Sequence, residues 1–176
     1  GCSIGCAAPL LHVEGKWLAV HAGLLPTWSV AEAMQLASEI SAGLAGAKAA
    51  DFLGRCLAPP SKDAKSHSEQ DRLPMATAVL TRLRVLNDRN EPQWGFTDPP
   101  EVAPGGWQPW YERRSDDVRR VHVLFGHWAS LGVRRFAQAT SLDGGCVWGG
   151  TLNALRLEDG AVISQRALEN NGFSKT

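Results

Sequence analysis

Two runs in this chain share one plan: an apolar, strand-like stretch that ends on a histidine beside a glycine. The first is Trp17-Leu18-Ala19-Val20-His21-Ala22-Gly23, and the second is Val121-His122-Val123-Leu124-Phe125-Gly126-His127. A histidine at the mouth of a buried strand is a common way to build a metal site. The strand gives rigidity, and the loop after it opens onto the crevice outside the sheet. A neutral imidazole binds divalent transition metals through one ring nitrogen. The small neighbours Ala22, Gly23 and Gly126 leave space for a ligand. His21 and His127 are therefore the candidate metal ligands. From the residues alone, a hydrogen-bonded core or loop histidine remains the competing reading for each.

A two-metal hydrolytic centre also needs carboxylates, usually including one that bridges the ions. Few acidic residues lie near these runs. Asp143, in Ser141-Leu142-Asp143-Gly144-Gly145-Cys146, ends a strand-like run and has two readings. It orients a ligand histidine as a supporting partner, or it is a turn residue before two glycines. Thr81-Arg82-Leu83-Arg84 offers two guanidinium groups suited to phosphate oxygens. At helical spacing they point apart, so one is expected to reach a site and the other to make surface ion pairs. Of the remaining histidines, alternation places His122 on the exposed face of its strand, and His67 lies in a polar loop.

The chain has 176 residues, 44% of them hydrophobic, which suits one globular domain with a real core. Eighteen basic residues balance eighteen acidic ones, so no broad basic surface points to nucleic acid. No apolar run approaches the roughly 20 residues that span a bilayer. No signal peptide is recognisable, the first residue is Gly rather than Met, and an upstream start and a cytoplasmic setting are the expectations. Cysteines 2, 6, 56 and 146 show neither C-x-x-C spacing nor a disulfide framework. A zinc site from Cys2, Cys6, His12 and His21 fits known structural spacings poorly, and scattered thiols in a reducing compartment are expected instead.

Residues 9–21 read as a hairpin around Glu14-Gly15. Ser29 reads as a helix N-cap with Glu32 as its capping-box partner, starting a helix over 30–41. A second helix is expected over 46–55 and a third over 74–84, with an exposed loop over 58–72. Residues 87–117, rich in Pro, Gly and Trp, read as a long aromatic loop that packs on the core or, as the lesser reading, forms a lid that stacks on a base. The last third is β-rich: strands over 118–125 and 136–142, then a hairpin of 146–158 and 161–165 around Asp159-Gly160. Residues 167–176 read as a tail. The expected class is mixed α and β, in a single partial domain: 9–86 hairpin plus helices, 87–117 loop, 118–166 β-rich half.

Four segments together resemble the C-terminal part of the bacterial symmetrical diadenosine tetraphosphatases, a branch of the calcineurin-like metallophosphoesterases. They are Leu18-Ala-Val-His-Ala-Gly-Leu-Leu-Pro-Thr-Trp28, Ala78-Val-Leu-Thr-Arg-Leu-Arg84, Val123-Leu-Phe-Gly-His-Trp-Ala-Ser-Leu-Gly132 and Leu142-Asp-Gly-Gly-Cys-Val-Trp-Gly-Gly-Thr-Leu152. The G-H-W-A-S-L-G and G-C-x-W-G-G-x-L blocks are the specific ones. The resemblance implies part of a two-sheet sandwich flanked by helices. It implies symmetrical hydrolysis of diadenosine tetraphosphate to two ADP with divalent manganese or cobalt. His21 matches the family's fourth-motif histidine and His127 its fifth-motif histidine, which in related phosphatases bind the same ion. Arg82 is assigned to the substrate phosphates.

The family's Gly-Asp-x-His-Gly, Gly-Asp…Arg-Gly and Gly-Asn-His-Asp motifs, which supply most ligands and the catalytic histidine, do not occur in this sequence. No catalytic residue is therefore assigned. Residues 56–77 also depart, and Leu-Asp-Thr-Gly becomes Leu142-Asp-Gly-Gly145. The reading is a partial chain with a local frame disruption in its middle, inactive alone. The alternative is a non-catalytic remnant that binds a nucleotide or a protein. The expected partner is a dinucleoside polyphosphate, with no nucleic acid and no membrane. The oligomeric state is open.

Overall fold

The computed structural model describes residues 9–58 and 71–168. β1 (Leu11–Glu14) and β2 (Trp17–Val20) form the expected antiparallel hairpin, with Gly15 at φ +57° in its turn. Ser29 caps α1 (Val30–Ala45), its hydroxyl accepting the Glu32 N–H at 3.1 Å. The helix continues past Ser41, whose hydroxyl donates back to the Ala37 carbonyl, 2.8 Å away.

α2 (Ala49–Leu57) and α3 (Arg72–Arg82) follow. α3 starts and ends earlier than the 74–84 expectation. Pro74 is tolerated in the first turn, where its missing N–H has no helical acceptor. At the other end Leu83 turns extended and Arg84 is drawn away from the helix, its carbonyl accepting the Trp110 N–H at 3.0 Å. Most of the expected 58–72 loop, including His67, lies outside the described residues, as do Cys2, Cys6 and residues 169–176.

Residues 87–117 are more ordered than a loop. β3 (Val85–Asn87) pairs antiparallel with β4 (Trp107–Pro109), and single 3-10 turns cover Pro100–Val102 and Trp110–Glu112. Phe96, Trp110 and Tyr111 are buried in the core, so these aromatic residues anchor the segment rather than forming a lid.

The β-rich third differs from the sequence reading at three places. Val118–Arg120 is a 3-10 turn, because the Ser115 hydroxyl accepts the Val118 N–H and the Val118 side chain is buried; β5 is His122–Phe125. The 136–142 strand is instead a hairpin of β6 (Arg134–Phe136) and β7 (Ala139–Ser141). Cys146–Trp148 is a 3-10 turn between left-handed Gly145 and Gly149, and only then come β8 (Thr151–Leu155) and β9 (Val162–Arg166). Cys146 therefore sits in a turn. Gly144 stands where the resembled family has Thr, and a β-carbon there would collide with the Thr151 hydroxyl.

Five strands form one mixed sheet in the order β1-β2-β5-β7-β6, with β2/β5 and β5/β7 parallel and both outer pairs antiparallel. With β3–β4, β8–β9 and three helices, the architecture is mixed α and β. Register places Leu18, Val123 and Ala139 in one row across the sheet. That row joins Leu36 and Ile40 of α1 and Val79 and Leu80 of α3 in the core. Each fully buried Leu, Ile or Val contributes about 1.5–3 kcal/mol.

Gly23, expected to leave room for a ligand, instead makes room for an indole. A β-carbon there would lie 2.9 Å from the Trp110 ring, whose side chain is fully buried. Gly23→Ala is expected to destabilise the domain by about 1–3 kcal/mol through overpacking, read as a lowered denaturation midpoint. An unchanged midpoint would show that Trp110 does not fix the backbone here.

Candidate functional site

The parallel pairing of β2, β5 and β7 brings their C-terminal ends to one edge of the sheet. His21, Gly126-His127 and Leu142-Asp143 therefore leave the sheet side by side. The Gly126 N–H donates to the His21 carbonyl at 2.9 Å, and the Leu142 N–H donates to the Phe125 carbonyl at 2.8 Å. These bonds carry the ladder one step beyond the strands. His127 then adopts φ +64°, a left-handed conformation uncommon outside glycine.

The two imidazoles meet. His21 Nε2 lies 3.3 Å from His127 Nδ1, with ring centroids 5.1 Å apart and planes tilted by 54°. Bonds of about 2.1 Å to one ion would set two adjacent ligand nitrogens roughly 3.0–3.4 Å apart. A simple N–H···N hydrogen bond satisfies the same distance. Nε2 of His127 is buried without a hydrogen-bond partner. Burial, then the nearby Arg84 and His21, outweigh the opposing Asp143 charge and pull His127 down to about 4. Its ring is therefore neutral at pH 7 and keeps a lone pair for a ligand.

An open pocket of about 430 Å³ adjoins the pair, lined by Leu124, Leu142, Asp143 and Asn153 as well as both histidines. The Asp143 carboxylate accepts the Gly145 N–H at 3.0 Å, an Asx turn. Among the described residues no hydrogen bond joins it to either imidazole. It faces the site as a charge and holds the turn directly.

Arg82 and Arg84 both approach His127, since α3 ends between them and the helical-spacing argument does not apply. Arg82 lies 6.0 Å from the Trp94 ring centroid, and its Nη2 is buried without a partner. Arg84 was expected to make surface ion pairs. It is instead half-buried and donates to the carbonyls of Phe96 and His127. Sequence reasoning missed this role, although the Thr-Arg-Leu-Arg run was its visible trace.

His122, expected to be exposed, is half-buried. It shares a 2.8 Å hydrogen bond with the Thr140 hydroxyl and packs edge-on against Trp17 at 4.9 Å. Alternation assigned its face correctly but not whether that face is covered. His12 is exposed beside Glu14. Among the described residues no cluster of three or more His, Cys, Asp and Glu side chains could hold a metal.

Fold and site together define an α/β domain whose adjacent parallel strands end on a histidine pair beside an open pocket. No family model matches the chain. It is 36% identical over 160 residues to the symmetrical bis(5'-nucleosyl)-tetraphosphatase of Chromobacterium violaceum, covering 90% of this chain and 57% of that protein. The protein of the same name in Burkholderia mallei is 36% identical over 174 residues, covering 93% of this chain and 60% of its own length. A solved crystal structure of a protein assigned as a diadenosine tetraphosphatase aligns with a TM-score of 0.48 at 20% identity, covering 88% of this chain and 48% of that one. The chain thus spans about 57–60% of the length of the curated relatives it matches.

The neutral His127 makes stability pH-dependent. The unfolded ring takes up a proton near 6.5, while the folded ring resists it to about 4. This contribution is complete above pH 6.5 and is lost as pH falls toward 4. In metal-free buffer, His127→Gln is expected to flatten the fall in melting temperature between pH 6.5 and 4. An equally steep fall in the variant would place the acid sensitivity elsewhere.

Proposed function

We propose that this chain carries part of a metal-dependent phosphoanhydride hydrolase. The substrate is diadenosine tetraphosphate, cleaved symmetrically to two ADP. The observation that carries this reading is the His21–His127 pair at 3.3 Å, on the ends of adjacent parallel strands. The similarity to enzymes named for this activity supports the substrate.

The residues present fit a divalent ion. Two imidazole nitrogens face each other at a separation suited to adjacent ligands, and one ring is held neutral. His21 and His127 would hold the ion, with manganese or cobalt favoured by the resemblance. Bound there, it would act as a Lewis acid on a phosphoryl oxygen. Arg82, with a buried unpaired Nη2 near the pair, is suited to phosphate oxygens. Asp143 holds the turn beside the pocket and adds a negative charge facing His127. Leu124 and Leu142 give the pocket an apolar wall, which keeps water from part of it. The free thiols Cys56 and Cys146 suit the cytoplasm expected from the sequence. No described helix is long and apolar enough to cross a membrane.

The histidine pair supplies two ligand nitrogens for one ion. No third metal-binding side chain joins the histidine pair among the described residues. The isolated chain is therefore expected to bind Mn²⁺ weakly and release little ADP.

Fusing the unmatched part of the C. violaceum relative to this chain tests the function. The chimera is expected to release ADP. His21→Ala or His127→Ala should lower that release at least about a hundredfold, the upper end of what losing a residue that supports a ligand costs. A folded chimera that makes no ADP, or one indifferent to both substitutions, would contradict the proposal. Robust ADP release by the isolated chain, abolished by His127→Ala, would overturn its expected incompleteness.

A further inference from the structure

The turn that carries His127 is tied down by three successive carbonyls of another segment. Phe96, Thr97 and Asp98 accept, in order, Arg84 Nη1 at 3.2 Å, the Ser130 hydroxyl at 2.6 Å and Trp128 Nε1 at 2.8 Å. Arg84 closes the set, because its Nη2 donates to the carbonyl of His127 itself at 3.1 Å. Its own carbonyl is held by the Trp110 N–H. One guanidinium therefore bridges the aromatic segment and the residue at φ +64°.

A half-buried arginine is a costly way to fill space, and here its Nε atom is buried without a partner. Apolar side chains would pack as well. What the planar fork adds is orientation: two donors at fixed angles that reach carbonyls on two different segments. The carbonyl it holds belongs to the peptide that reverses the chain after β5. A left-handed residue bearing a β-carbon needs such restraint to persist.

We propose that Arg84 is a positioning residue, which clamps the left-handed turn at His127 so that the imidazole presents Nδ1 to His21. The clamp is independent of any ion. Its consequence for metal affinity rests on the reading of His21 and His127 as ligands.

Two measurements on the full chain test this: backbone amide hydrogen exchange without metal, and Co²⁺ titration followed by absorption. Arg84→Met is expected to speed exchange of the Leu131 and Gly132 amides, which close the turn onto the Trp128 and Ala129 carbonyls, by about tenfold or more through local opening. Amides between β2 and β5 should keep their protection. Co²⁺ affinity should fall about 10–100-fold. Arg84→Lys keeps the charge but loses the fork, and should fall between. If Arg84→Met does not fold, Arg84→Lys carries both readouts with the same sign.

Unchanged exchange at 131–132 would overturn the proposal. So would acceleration spread evenly through β2 and β5, which would mark ordinary core support. Absence of Co²⁺ binding in the unsubstituted chain would instead refute the ligand reading, while the exchange pattern still decides the clamp.

Discussion

The parallel pairing of β2 with β5, and of β5 with β7, is the constraint on which the site depends. Parallel neighbours end at the same edge of a sheet, so residues remote in sequence emerge together there. His21 and His127 follow the last residues of two such strands. Their backbones are joined by the Gly126 N–H to His21 carbonyl bond before their side chains meet. A one-residue slip of β5 would send every side chain to the opposite face and part the rings. Because the apolar row Leu18–Val123–Ala139 fixes the register, core packing also fixes the histidine geometry.

The aromatic segment is the second support. Trp110 packs edge-on against Phe125 at 5.2 Å, beneath the end of β5, and Tyr111 stacks on Phe136 at 4.2 Å. Gly23 lets the indole approach the loop after β2. The same segment supplies the carbonyls that hold the His127 turn. The electrostatics follow from this packing. Burial and the adjacent arginine keep His127 neutral, which suits a ligand, while Asp143 supplies the nearby negative charge. The pocket beside them is open and lined in part by apolar residues, so any polar chemistry is confined to the rim where the strands end.

Much of this was legible in the sequence because it is local. The Glu14-Gly15 turn, the Ser29 cap and the Asp159-Gly160 turn each carry their own signal, and each forms. The convergence of His21 and His127 was legible from two matching runs and from the family resemblance. The β6–β7 hairpin was not, because Ala137-Gln138 between its strands has none of the usual turn residues. Val118 looked like strand because it is apolar, but its apolarity serves the core from a 3-10 turn. The burial of His122 depends on Trp17 and Thr140 covering its face, a tertiary fact that alternation does not encode. Arg84 was misassigned for a similar reason. Its direction is set by the end of α3 at Arg82, and helical spacing was applied to a residue outside the helix.

The two rings face one another at 3.3 Å, and the proposed function makes them donors to a single ion. Titrating Zn²⁺ into the chain labelled with ¹⁵N at its histidines tests it most directly by NMR. His21 Nε2 and His127 Nδ1 are expected to shift together with one dissociation constant, while His12 and His122 do not respond. Separate titrations of the two rings, or a response of only one of them, would contradict it.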